Sequence, residues 1–109
     1  MVHKAKKIVI ITEKIIAEGV IKIIEDNGGT GYTITAAEGK GSRNIRSRSR
    51  PVIIDALSNI KFEVITGDEK TAQKIADAVA ETYFDDYSGI TYMENVEILR
   101  PHKFIKVDD

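Results

Sequence analysis

The chain has 109 residues, 42% of them hydrophobic, and a formal net charge of −1, which suits one globular domain and leaves no room for a second core. It has no Cys, which excludes disulfides, thiolate metal sites, thiol catalysis and redox switching, and its two imidazoles, His3 and His102, stand apart near opposite ends. The longest apolar run, Ile8 to Ile11, is too short to span a bilayer, and no apolar signal-peptide core follows Met1, so a cytosolic protein is expected.

Lys7 to Thr12 is a β-branched run that reads as an interior strand. Glu13 to Asn27 places Ile16, Val20, Ile23 and Ile24 on one face of an amphipathic helix, which Gly28-Gly29 ends. Tyr32 to Ala37 alternates as a second strand, and Ile60 to Thr66 as a third. Thr66-Gly67-Asp68-Glu69 sets a hydroxyl and a carboxylate at capping-box spacing, opening a helix with Ala72, Ile75, Ala76, Val79, Ala80 and Tyr83 on one stripe. Asp85 to Gly89 is a turn, and Ile90 to Leu99 a last strand.

The order βαββαβ predicts an α+β, ferredoxin-like fold, with an antiparallel sheet and both helices on one face. The other face must then be covered. Val9, Ile11, Ile34, Phe62 or their alternating neighbours are too apolar for water, so a homo-oligomer is expected.

The charge is unevenly spread. Lys40, Arg43, Arg46, Arg48 and Arg50 lie between Gly39 and Ile54 with no acidic residue among them, in a Gly/Ser-rich excursion between the second and third strands. Loops of this length in compact domains are usually functional or disordered. Gly39 and Gly41 allow close ligand approach, and arginine forks beside Ser42 and Asn44 suit phosphate; the alternative is a solvated, solubilising loop. The segment is not a P-loop, because the upstream Walker glycine is missing. Across a subunit boundary, this loop and the Asp85–Gly89 turn would form two walls of a cleft.

Glu13, Glu18, Asp68, Glu69, Asp85 and Asp86 stand in no motif with a nucleophile or metal partner, and helix N-termini explain Glu13, Asp68 and Glu69. An enzyme is disfavoured. A nucleic-acid-binding module is the competing reading of the basic segment 40–50. It would need stacking aromatics on the central strands, where only Tyr32 and Phe62 stand. An amino-acid-binding regulatory domain on the same frame would need no phosphate-binding arginines.

Gly28-Gly29-Thr30-Gly31-Tyr32-Thr33, Gly39-Lys40-Gly41-Ser42-Arg43-Asn44-Ile45-Arg46-Ser47 and Ile60-Lys61-Phe62-Glu63-Val64 resemble the PII signalling superfamily. Within it they look most like the PII-like regulators of the cyanobacterial sodium-dependent bicarbonate transporter. The similarity runs along essentially the whole chain, including Thr12-Glu13-Lys14 and Asp86-Tyr87-Ser88-Gly89-Ile90, and the Gly-Lys-Gly-Ser-Arg-Asn run is its specific part. It implies a homotrimer with an adenine nucleotide in each inter-subunit cleft. A T-loop, about residues 39–58, would report occupancy to a membrane bicarbonate transporter. By this resemblance Thr30, Val64 and Ile65 hold the adenine, Gly41, Ser42, Arg43 and Arg46 the phosphate, and Gly89 stands on the opposite wall. Lys40, Asn44, Arg48 and Arg50 fall to the partner-binding part of the loop. The implied ligands are AMP and cyclic AMP, with ADP and ATP as further candidates, and neither cofactor, metal nor nucleic acid is expected. Classical members carry a Lys in the turn before the last strand to hold distal phosphates. Here Gly89 aligns there, beside Asp85-Asp86, so ATP's extra charge should gain little. The loop has no Tyr to be modified.

Overall fold

A computed structural model describes residues 2–37 and 59–99. The elements are β1 (His3–Glu13), a 3-10 turn (Lys14–Ile16), α1 (Ala17–Asp26), β2 (Tyr32–Ala37), β3 (Asn59–Thr66), α2 (Glu69–Tyr83) and β4 (Gly89–Ile98). The four strands pair antiparallel in the order β2-β3-β1-β4, so the expected ferredoxin-like α+β frame is present.

Two element starts and one helix cap differ most from the expectation. β1 begins at His3 rather than Lys7, because Lys4 faces Glu97 and Lys7 faces Glu94 on β4. Opposite charges across the ladder offset the weak strand preference of lysine. The first helix begins later than Glu13, which stays extended (φ −69°, ψ 136°) and pairs with Asn59. The cap of α2 is Asp68 rather than a Thr66/Glu69 box: the Thr71 N–H donates to Asp68 Oδ1 at 2.7 Å, while the Thr66 hydroxyl donates to the Asp68 carbonyl at 2.9 Å. Glu69 turns instead to Lys6, 3.2 Å away. The end of α1 follows the glycine pattern, with Gly28 at φ +96° and the Gly29 N–H donating to the Ile24 carbonyl at 2.8 Å.

The core lies between one sheet face and the helices. Ile8 and Ile10 of β1 and Phe62 and Val64 of β3 meet Val20 and Ile24 of α1 and Ile75 and Val79 of α2, all fully buried. Each such side chain contributes roughly 1.5–3 kcal/mol when withdrawn from water. The period of two sends Ala5, Lys7, Val9 and Ile11 to the face without helices. Of the residues expected there, Ile34 and Phe62 pair with each other and share the helix-side parity, with Ile34 exposed because β2 is an edge strand.

α1 and α2 approach closely where the Tyr83 ring covers Gly19, occupying the space a Cβ there would need. The same ring meets Tyr87 edge to face, centroids 6.0 Å apart, and the Asp86 and Tyr87 N–H groups both donate to the Tyr83 carbonyl. The end of α2 thus holds the turn that leads into β4.

Candidate functional site

Four strand ends meet at one end of the sheet. Ala37, the last residue of β2, pairs with Asn59, the first of β3; Asn59 also faces Glu13, and the neighbouring Thr12 faces Gly89 at the start of β4. The segment between Ala37 and Asn59 therefore leaves and rejoins the frame beside the turn before β4. That segment contains Lys40, Gly41, Ser42, Arg43, Asn44, Arg46, Arg48 and Arg50, all outside the described residues.

The turn is gripped from β1. The Thr12 hydroxyl donates to the Ser88 carbonyl at 2.7 Å, and the Ser88 N–H donates to Glu13 Oε2 at 2.8 Å. Glu13 is only 7% exposed; it stands at the N-cap of the 3-10 turn, as expected of a helix N-terminus, but makes no side-chain cap bond there, and its carboxylate instead accepts from a main-chain donor 75 residues away. Gly89 is exposed, yet a Cβ there would overlap Phe84 Cε1, come within 2.6 Å of Phe84 Cζ and meet Thr12 Oγ1 at 3.0 Å. A side chain at this position requires the Phe84 ring to move. Asp85 and Asp86 are exposed on the same turn.

Thr30, Val64 and Ile65 lie toward the opposite end. Val64 pairs with Ile8 and with Tyr32, the first residue of β2, so β3 runs on through Ile65 and Thr66 with ladder partners on β1 alone. Thr30, two residues before β2, is exposed beside that stretch, and the half-buried Ile65 has the opposite parity to Val64. Val64 is 0% exposed and belongs to the core, so its side chain is unavailable to a ligand and only its main chain is left for such a role. Along β1, the partners of Val64 and Gly89 are Ile8 and Thr12, four residues apart. At a strand's rise that is about 13 Å. Within one chain, then, the residues assigned to adenine do not converge with Gly89.

Charge is organised between the two ends, on the face without helices. Lys7 Nζ lies 3.2 Å from Glu63 and 3.4 Å from Glu94, and Lys61 lies 3.7 Å from Glu63. The hydrogen bond from Lys7 holds the Glu63 carboxyl below the usual carboxylate range, and the Glu63 bond raises the Lys7 ammonium in turn. On the β2 edge, desolvation and then the Glu25 carboxylate raise the Tyr32 phenol, whose hydroxyl donates to Glu25 at 3.2 Å. Among the described residues no group of three His, Asp or Glu side chains is placed to hold a metal, and no helix is long and apolar enough to cross a membrane.

The sheet is thus ferredoxin-like, and its basic inter-strand segment springs from the end that carries the gripped turn. The profile of the nitrogen regulatory protein P-II family matches residues 5–103, and the chain belongs to that family. It is a family of signalling regulators rather than enzymes. A protein of Thermus thermophilus described as PII-like and signalling is 34% identical, with a TM-score of 0.77 over 95% of this chain and 98% of that one. CPII of Thiomonas intermedia, solved with ADP and bicarbonate, is 24% identical with a TM-score of 0.77, covering 95% of this chain and 97% of its own. The same protein solved with ADP, AMP and acetate gives 23% identity and a TM-score of 0.76 over the same shares.

Proposed function

We propose that the chain is a cytoplasmic, trimeric PII-like sensor of adenine nucleotides of the AMP and cyclic AMP class. Each ligand lies in a cleft between subunits, and the loop at about 39–58 reports occupancy to a membrane bicarbonate transporter. The observation that carries the reading is the placement of the basic segment's two anchors, Ala37 and Asn59, on the sheet end that holds the Ser88–Gly89 turn. The separation of Thr30 and Ile65 from Gly89 supports a cleft built from two copies, in which one subunit supplies the adenine side and its neighbour the turn. Two of the ligands of the Thiomonas relative, ADP and AMP, are adenine nucleotides like those proposed here.

In this reading Gly41, Ser42, Arg43 and Arg46 bind the phosphate, Thr30, the Val64 main chain and Ile65 border the adenine, and Gly89 closes the opposite wall. Lys40, Asn44, Arg48 and Arg50 face the transporter. Because Phe84 leaves no space for a side chain at Gly89 and Asp85 and Asp86 stand beside it, distal phosphates find no cation on this turn.

Calorimetric titration of the full chain with AMP, cyclic AMP, ADP, ATP and single-stranded RNA tests this. AMP or cyclic AMP should bind at least as tightly as ATP. A preference for ATP above ~1.4 kcal/mol, tenfold in affinity, would contradict the assignment of the turn. Arg46→Ala should remove ~1.5–3 kcal/mol of nucleotide binding, the range for a hydrogen bond to a charged group, and Arg50→Ala should leave it nearly unchanged. Equal losses from Arg43, Arg46, Arg48 and Arg50, together with RNA binding whose salt slope falls by about one unit per arginine removed, would identify a nucleic-acid module instead.

A further inference from the structure

The side chains gripping the turn before β4 belong to neither half of the proposed ligand set. Thr12 and Glu13 end β1, and between them they engage both main-chain polar groups of one residue: the Thr12 hydroxyl binds the Ser88 carbonyl, and Glu13 Oε2 accepts the Ser88 N–H. Ser88 C=O and Gly89 N–H belong to one planar trans peptide and point in opposite directions. Fixing the carbonyl on Thr12 therefore also fixes the Gly89 N–H, directed away from β1.

We infer that Thr12 and Glu13 are positioning residues that set the Ser88–Gly89 main chain as a preformed wall of the nucleotide cleft, an inference that rests on the cleft reading above. Neither side chain needs to touch the ligand. Preformed donors and walls bind more tightly than those ordered on contact, because the ordering cost has already been met in folding. The two residues are suited to the role by burial, Thr12 at 2% and Glu13 at 7% exposed. A carboxylate withdrawn from water to this degree gives a main-chain donor a strong, charge-assisted acceptor. Phe84 completes the setting by packing where a side chain at 89 would begin.

The test pairs amide hydrogen exchange at Ser88 with AMP titration, on the full chain, for the wild type, Glu13→Ala, Glu13→Gln, Thr12→Val and Thr12→Ser. Glu13→Ala should speed Ser88 exchange and weaken AMP by about tenfold, because ordering the turn is then left to the binding step. Glu13→Gln, which keeps an acceptor oxygen, should restore most of both. Thr12→Val keeps the shape and loses the donor, so it should weaken AMP while remaining folded; Thr12→Ser should rescue it. If Glu13→Ala does not fold, the Thr12 pair carries the same expectation. Wild-type AMP affinity in Thr12→Val and Glu13→Ala, with the wild type binding normally, overturns this inference alone. A wild type that does not bind AMP removes the cleft reading and this inference with it. Ser88 exchange unchanged in a folded Glu13→Ala variant refutes the grip itself.

Discussion

Lys7 is one of the few charged side chains drawn into the sheet, and it is held there by two carboxylates on two different strands. Its bond to Glu63 lowers the Glu63 pKa, so the folded state favours the ionised acid relative to the unfolded chain. The stabilisation is fully present above the unfolded value of about 4.3 and is lost as pH falls through the lower folded value. For Lys7, raised in the folded protein, the contribution is present below the unfolded value and lost as pH rises through the raised one. Lys7→Met should therefore flatten the acid limb of the melting-temperature profile, measured from about pH 6 to about pH 3. An acid limb as steep as the wild type's would show that the pair does not govern it.

At the scale of elements, α2 depends on a single capping residue. Asp68 accepts from both the N–H and the hydroxyl of Thr71, at 2.7 and 3.3 Å, whereas Glu69, with a side chain 72% exposed, is paired with Lys6. Asp68→Ala should cost about 0.5–2 kcal/mol of stability, the usual loss of a good N-cap. Glu69→Gln should cost well under ~1 kcal/mol, because an exposed ion pair contributes little. Urea denaturation of the two variants distinguishes them; equal losses would return the cap to Glu69.

For the whole molecule, the proposed assembly rests on the face without helices. Ile90 and Tyr92 on β4 are 55% and 41% exposed, and Val9 beneath them is only 1% exposed, although it lies outside the helix-side core. Lys7, Lys61, Glu63 and Glu94 share this face as a mutually paired set with no net charge, which eases its withdrawal from water. Light scattering should give three times the 12.1 kDa chain mass. A monomer at micromolar concentration would leave the two halves of the proposed site about 13 Å apart along the sheet, with no partner to join them.

The order of elements, the apolar stripes of the two helices and the unusual basic segment are legible in the sequence, because periodicity, glycine punctuation and charge clustering are local properties. β2 runs from Tyr32 to Ala37 as its alternation requires, and the stripe of α2 is buried at Ala72, Ile75, Ala76 and Val79. The Gly-Lys-Gly-Ser-Arg-Asn run that resembles the P-II family is a local pattern of the same kind. That Val64 turns inward, that Thr30 and Gly89 lie at opposite sheet ends, and that the Glu13 carboxylate reaches Ser88 emerges only in three dimensions. Those facts depend on strand register and on contacts between residues 75 or 76 positions apart, and no local pattern of residues encodes them.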